Sequence, residues 1–317
     1  MSRSVTLLFP GQGSQYVGMG KNLEGTAGFD VFEKADKTLE LPLSRYMFEG
    51  PEDELTSTAH TQPAIVNHSI AHFINLQKIL ERKKIKIDAV LGHSVGEYAA
   101  LVAAGSLTLE QATKAVHLRG RFMQEAVPAG QGKMIALLNV PADVVEKACQ
   151  ESSSEEGKVM PANFNEPNQI VISGEAKACD KAVAWLEKNH DGAFRHVELN
   201  VSAPFHSNLM NPAAKKLAAE LDKLDFRPNQ IPYYANIDAH LYPAQTDPTQ
   251  IIQNLVAQVA GSVQWTQSFQ QLPDETICLE VGPGRVLMGL ARKINRNIKV
   301  LSLDKEGSYE ELEELFS

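Results

Sequence analysis

One corner of the chain limits what it can fold into more than any other. The run Asp88–Gly105, DAVLGHSVGEYAALVAAG, passes from a short apolar segment through Gly92-His93-Ser94-Val95-Gly96 straight into an alanine-rich amphipathic stretch. An apolar run of that length, stopped by glycine, reads as a buried strand, and helical spacing begins at once beyond it. G-x-S-x-G at a strand–turn–helix corner describes a turn so sharp that small residues are needed two positions either side of the serine. The turn lifts the Ser94 hydroxyl out of the end of a sheet and sets it at a helix N-terminus, where free N–H groups favour negative charge. The plainer reading is a glycine-rich βα turn with Ser94 as the helix cap.

The rest of the chain supports a sheet flanked by helices. SVTLLF (4–9) reads as a buried first strand stopped by Pro10 and Gly11, AIVNHSIAHFINLQKILERKK (64–84) as a helix, and 106–127 as another with Thr108 as N-cap and Gln111 three residues on. From Lys133 the pattern changes to strand (133–140), helix (141–151), two strands joined at Glu166-Pro167, helix (176–190) and strand (193–200). That βαββαβ order is a ferredoxin-like unit. Helix and strand then alternate again, through 211–224, 231–238, 248–261, 276–284, 285–294 and 299–304. The expected fold is therefore α/β, with a discontinuous large domain (1–132 and 201–317) and a small inserted domain (133–200). The segments SSSEEG (152–157) and EELEELF (310–316) read as a solvated loop and a solvated helix face.

Composition excludes several classes of function. Across 317 residues the net charge is −9, the opposite of the basic face expected of a nucleic-acid binder. No run approaches a membrane span, and the apolar run before Pro10 is too short for a secretory leader. Cys149, Cys179 and Cys278 are scattered and odd in number, which suits reduced thiols in a cytosolic protein and offers no metal spacing. His68 and His72 are spaced i, i+4, but position 69 is serine, so no HExxH motif is completed. They read as helix-surface or packing residues, and no metal site is expected.

A serine nucleophile needs a base. His93 adjoins Ser94 and projects differently. His206, in the loop NVSAPFHSNLM, is the better candidate. Asp143, Asp180 and Asp191 are the acids between Ser94 and His206, and all read as surface residues. A Ser–His dyad, with the imidazole held by a backbone carbonyl, is the simpler arrangement. The loop FPGQGSQYVGMGK (9–21) fails as a phosphate loop, having Gln15 where glycine is required and no Ser or Thr after Lys21. It can still aim a backbone N–H at an oxyanion, so Gln12 pairs with Val95 as candidate oxyanion donors. Arg119 and Arg121 lie on the 106–127 helix, where one could turn inward. A buried arginine needs an anionic partner, and a substrate carboxylate would serve.

The motifs FPGQGSQ, GHSVGEYAAL, LRGRFMQ, PANFNEPNQIVISG, SAPFHS, VQW and EVGPG occur in this order and at these spacings. Together they resemble the malonyl-CoA:acyl-carrier-protein transacylases of dissociated bacterial fatty-acid synthesis, over nearly the whole chain. The resemblance implies an α/β-hydrolase-like large domain with a ferredoxin-like insertion. It implies Ser94 as the acylated nucleophile, His206 as base, Gln12 and Val95 as oxyanion donors, and Arg119 as the grip on the malonyl carboxylate. Gln258 matches a glutamine whose carbonyl orients the histidine, and Asn163 a cleft asparagine. Phe205 fits malonyl over methylmalonyl selection.

The implied reaction moves malonyl from malonyl-CoA, the substrate, to the phosphopantetheine thiol of acyl carrier protein by a ping-pong route. It uses no metal or other cofactor, in a cytoplasmic monomer. The partner is acidic, so a local basic patch should dock it, with Arg195, Arg292 and Lys293 as candidates. The alternatives are the same chemistry for a polyketide synthase, a serine esterase or thioesterase, and a non-catalytic malonyl-CoA binder.

Overall fold

The structure, a computed structural model, describes residues 3–128 and 130–317. Met1, Ser2 and Ala129, all within the expected large domain, lie outside the described residues. The elements in chain order are β1 (Ser4–Phe9), α1 (Asp30–Leu39), α2 (Leu43–Glu49), α3 (Glu52–Thr56), α4 (Thr58–Lys83), β2 (Lys86–Gly92), α5 (Gly96–Ala103) and α6 (Leu109–Glu125). There follow β3 (Gly132–Leu138), α7 (Ala142–Ser152), β4 (Val159–Glu166), β5 (Gln169–Glu175), α8 (Ala176–Asn189) and β6 (Arg195–Glu198). The chain closes with α9 (Asn211–Leu221), β7 (Tyr233–Tyr234), β8 (Leu241–Tyr242), α10 (Pro248–Ala260), α11 (Trp265–Gln270), β9 (Ile277–Glu280), α12 (Val286–Ile294), β10 (Lys299–Ser302) and α13 (Ser308–Leu315).

Six strands form one sheet in the order β10-β9-β1-β2-β7-β8, parallel except for β8. Helices cover both faces of a parallel sheet, so its inner strands are apolar on both sides. SVTLLF obeys this, with every residue after Ser4 buried. The last residues of β1 and β2, Phe9 and Gly92, are register partners, so the glycine loop and the serine corner leave the sheet side by side.

The second sheet, β4-β5-β3-β6, is antiparallel throughout. Strand β3 is apolar at successive positions because both of its faces are covered. Ile135 and Leu137 pack into a core with α7 and α8, while Met134 and Ala136 join the core of the large sheet. The edge strand β4 docks on the segment after α10, through Phe164 N–H to Val263 O (3.0 Å) and Val263 N–H to Ala162 O (2.8 Å).

Four departures from the sequence reading have physical causes. Helix α4 begins at Thr58 rather than Ala64, with Pro63 inside it. Proline cannot donate to the carbonyl of residue 59, and His117 Nδ1 bonds that carbonyl instead at 2.9 Å, so the acceptor is not left unpaired. Residues 30–56, which the sequence reading passed over, form three short helices. Strand β7 ends at Tyr234, because Asn236 turns away to bond Glu97 and the serine corner. The acidic tail is docked, with Leu312 and Phe316 buried and the Phe316 carbonyl accepting from Arg3 at 2.7 Å.

Candidate active site

Ser94 occupies the corner between β2 and α5 with φ 51°, a left-handed conformation rare for any residue but glycine. Its neighbours explain how this is tolerated. A Cβ on Gly92 would run into the backbone of Gly96, and one on Gly96 into the carbonyl of Phe9. Both positions therefore accept only glycine. Asn236 braces the corner from below: its Oδ1 accepts from Ser94 N–H (2.7 Å) and its Nδ2 donates to Gly92 O (2.6 Å).

His206 Nε2 lies 2.7 Å from Ser94 Oγ. Its Nδ1 lies 2.9 Å from the carbonyl of Gln258 and 3.1 Å from that of Gly261. Carbonyls only accept, so Nδ1 carries the proton and Nε2 presents a lone pair to the serine hydroxyl. The Gln258 carbonyl is free to do this because it sits in the last turn of α10, where carbonyls lack helical partners. Burial first, and then the nearby Arg119 charge, push His206 down to about 3, so the ring is neutral near pH 7. Asp143, Asp180 and Asp191 are all exposed, as expected.

Arg119 turns inward from α6 and is 1% exposed, whereas Arg121 stays in solvent. The Arg119 guanidinium donates to Gln62 Oε1 (2.8 Å), Gln258 Oε1 (2.9 Å) and Ser94 Oγ (3.1 Å). All three partners are uncharged and Nε has none. Burial lowers its pKa below the ordinary arginine range. A buried cation that touches only neutral acceptors is suited to an anionic group on a ligand.

Gln12 and Val95 stand on the two loops that leave β1 and β2. Among the described residues neither main-chain N–H donates to a backbone acceptor. Asn163 lies on β4 and Phe205 just before His206, and both line the same cleft as Gln12, Ser94, Arg119 and His206. The cleft holds about 360 Å3 between the two sheets. Every residue expected at the site is thus brought to it, with Gln258 beneath the floor and Val95 fully buried beside it.

Sequence reasoning missed the layer under the site. Glu97, on α5, is fully buried. Its Oε2 accepts from Asn236 N–H (3.1 Å) and from Gln258 Nε2 (2.7 Å), which also donates to Ser94 O (3.0 Å). Burial pushes Glu97 up to about 7. A charged side chain inside the apolar repeat EYAALVA was the one signal that pointed to it. His93 faces the cleft but bonds Asn165 Oδ1 at 2.8 Å rather than Ser94, and burial lowers its pKa.

A parallel α/β sheet that presents a serine on a glycine corner, hydrogen-bonded to a neutral buried histidine and a buried guanidinium, defines a serine acyl-transfer protein. The acyl transferase domain family matches residues 6–291. The malonyl CoA-acyl carrier protein transacylase of Bacillus subtilis is 42% identical over 306 residues, covering 94% of this chain and 93% of its own. The acyl-carrier-protein S-malonyltransferase of Bartonella henselae superposes with a TM-score of 0.90 at 39% identity, covering 99% of each chain. A malonyl-transacylase solved with its type II polyketide acyl-carrier protein gives 0.87 at 35% identity, with 97% of each chain covered. The chain belongs to the malonyl CoA-acyl carrier protein transacylases of the acyl transferase domain family. Among the described residues no helix is long and apolar enough to cross a membrane.

Proposed function

We propose that this enzyme carries malonyl from malonyl-CoA to the phosphopantetheine thiol of acyl carrier protein, through a malonyl ester on Ser94, and so supplies fatty-acid synthesis. The observation that carries the reading is Arg119: a buried guanidinium 3.1 Å from the Ser94 hydroxyl with no acidic partner. Malonyl bears a carboxylate close to its reacting carbonyl. That carboxylate can take a bidentate pair from Arg119 in place of the neutral Gln62 and Gln258 oxygens. An acetyl group would leave the guanidinium as it is, so it forgoes this stabilisation.

Ser94 Oγ attacks the thioester carbon as His206 Nε2 takes its proton. The tetrahedral oxyanion accepts from the Gln12 and Val95 N–H groups. When the intermediate collapses, the C–S bond breaks and His206 returns the proton to the coenzyme A sulfur. The carrier thiol then attacks the malonyl ester and the same steps run in reverse, a ping-pong sequence that calls on no metal or redox group. The imidazolium formed on the way sits against the C-terminal turn of α10, whose dipole favours positive charge. Bound carboxylate also neutralises the Arg119 charge that holds His206 down, so the correct substrate makes the base stronger.

We further infer an α/β-hydrolase-like large domain (1–132 and 201–317) and a ferredoxin-like inserted domain (133–200). The strand order β4-β5-β3-β6 supports the second, and β10-β9-β1-β2-β7-β8 is compatible with the first. Phe205 crowds the α-carbon and selects against a methyl branch, while Asn163 lines the acyl path. The exposed Arg195, Arg292 and Lys293 are candidates for docking the carrier in the cytoplasm. The same chemistry serving a polyketide pathway is the second reading, favoured by the likeness to the polyketide carrier complex.

The test is an intact mass after brief incubation with malonyl-CoA, beside Ser94→Ala. A single malonyl adduct on the wild type, absent from the variant and discharged by holo carrier protein, is the expected result. Free malonate without an adduct would make the protein a hydrolase. Relative rates with fatty-acid and polyketide carriers separate the two pathways.

A further inference from the structure

Away from the cleft, two histidines one turn apart on α4 meet an aspartate from the segment after β10. The side chains of His68, His72 and Asp304 are 0%, 0% and 2% exposed. His68 Nε2 and His72 Nε2 lie 3.4 and 3.6 Å from Asp304 Oδ1, and one donor atom from each residue falls within 4.8 Å of the others. Those separations exceed the roughly 2.7–3.2 Å of a sound hydrogen bond. Both ring nitrogens of His68, Nε2 of His72 and Oδ1 of Asp304 have no hydrogen-bond partner. Buried polar atoms are ordinarily paired, so three orphans that face one another, His68 Nε2, His72 Nε2 and Asp304 Oδ1, mark a place for an occupant.

The other side-chain atoms of His72 and Asp304 are already engaged. His72 Nδ1 bonds the Tyr309 hydroxyl (2.8 Å), and that hydroxyl donates to His72 O (3.3 Å), which leaves the proton on Nδ1 and a lone pair on Nε2. Asp304 Oδ2 accepts from the Tyr16 hydroxyl (2.9 Å) and Gly284 N–H (2.7 Å). Orientation of the ligand by a bond to its other atom is how metal-binding imidazoles and carboxylates are held. A tetrahedral ion with bonds of about 2.0–2.1 Å spaces its ligand atoms by about 3.3–3.4 Å, close to the two His–Asp separations seen here.

We propose that His68, His72 and Asp304 bind one divalent transition-metal ion, zinc first among them, with water completing the shell. Two imidazoles favour such an ion over magnesium or calcium, which take oxygen ligands. None of the three residues lines the catalytic cleft, so the role is structural. The ion would tie α4, and with it α13 by Tyr309, to the segment after β10, and through that segment to the turn after β9 by Gly284 and to the first glycine loop by Tyr16. That loop also carries Gln12. The i, i+4 histidine pair was visible in the sequence. The third ligand comes from the far end of the chain.

The test uses the full chain without a histidine tag. Metal content is measured on the protein as isolated, after stripping with a chelator, and after titration of the stripped protein with zinc chloride. Binding of one zinc per chain, with a rise in Tm and, for cobalt, the visible bands of a tetrahedral site, is expected. His72→Gln and Asp304→Asn should abolish uptake, and Tyr309→Phe should weaken it by about 10–100-fold. Stripped wild type that takes up no zinc and shows no Tm shift would overturn the proposal, whether or not the variants fold. So would equal uptake by His72→Gln and Asp304→Asn, which would place the ion on other histidines.

Discussion

Ser94 and His206 share a backbone conformation but are held in it by opposite means. Both have left-handed φ, 51° and 56°. Ser94 owes it chiefly to its immediate neighbours, since Gly92 lets the strand end pack on the helix start without a Cβ between them, while Gly96 lets that start lie against the Phe9 carbonyl of β1. His206 owes its place to distant ones, the carbonyls of Gln258 and Gly261. One partner of the dyad is a local motif and the other a tertiary construction. A buried network through Glu97, Asn236 and Gln258 connects them. The turn that lifts the serine is thus set within five residues and braced from outside by Phe9 and Asn236, whereas its base is held by the end of a helix far along the chain.

Ways to break this arrangement can be ranked by size. Ser94→Ala should lower transfer by about 10⁴- to 10⁶-fold with folding intact, as removal of a nucleophile that acts as a unit with its base does. Steady-state transfer to holo carrier protein measures it, and unchanged transfer would remove Ser94 from the chemistry. Arg119→Ala should cost about 10²- to 10³-fold in kcat/KM for malonyl-CoA, the loss expected for a buried charge pair, while acetyl-CoA changes little. An equal fall for both acyl groups would make Arg119 a packing residue.

Gly92→Ala tests the local half and should destabilise by about 3 kcal/mol, because the Cβ meets the backbone of Gly96 and Glu97, which cannot move aside. Urea unfolding reads it, and a wild-type midpoint would show the corner is looser than its geometry. Glu97→Gln tests the tertiary half. It keeps the shape but leaves an amide N–H without a partner, for about 1–3 kcal/mol in stability with a smaller fall in kcat.

The smallest effect sharpens the contrast through pH. A base works only when neutral, so a histidine lowered to about 3 keeps its activity as pH falls and loses it only on passing through that value. The rate of labelling by a sulfonyl fluoride should thus stay level below the ordinary histidine pKa of about 6.5. In Arg119→Ala the acid limb should move up, since the second cause of the depression is gone. A wild-type limb at the ordinary histidine pKa would mean water reaches the ring.

What the sequence determined by itself is whatever a few consecutive residues can enforce. The GHSVG corner, the apolar strands, the capping box at Thr108 and Gln111, and the βαββαβ order all follow from spacing and local sterics, and all are present. His206 was a candidate from its loop, but preferring Arg119 to Arg121 and naming Gln258 rested on resemblance, because nothing near them in the chain distinguishes one arginine or glutamine from its fellows. Only the tertiary structure decided that Arg119 faces inward while Arg121 does not, that Glu97 and Asn236 brace the serine, and that His68 and His72 meet Asp304. Those facts depend on which side chains are forced to share a dry interior. Burial makes a lone charge or an unpaired nitrogen expensive, and no reading of neighbours along the chain can say which groups must bear it.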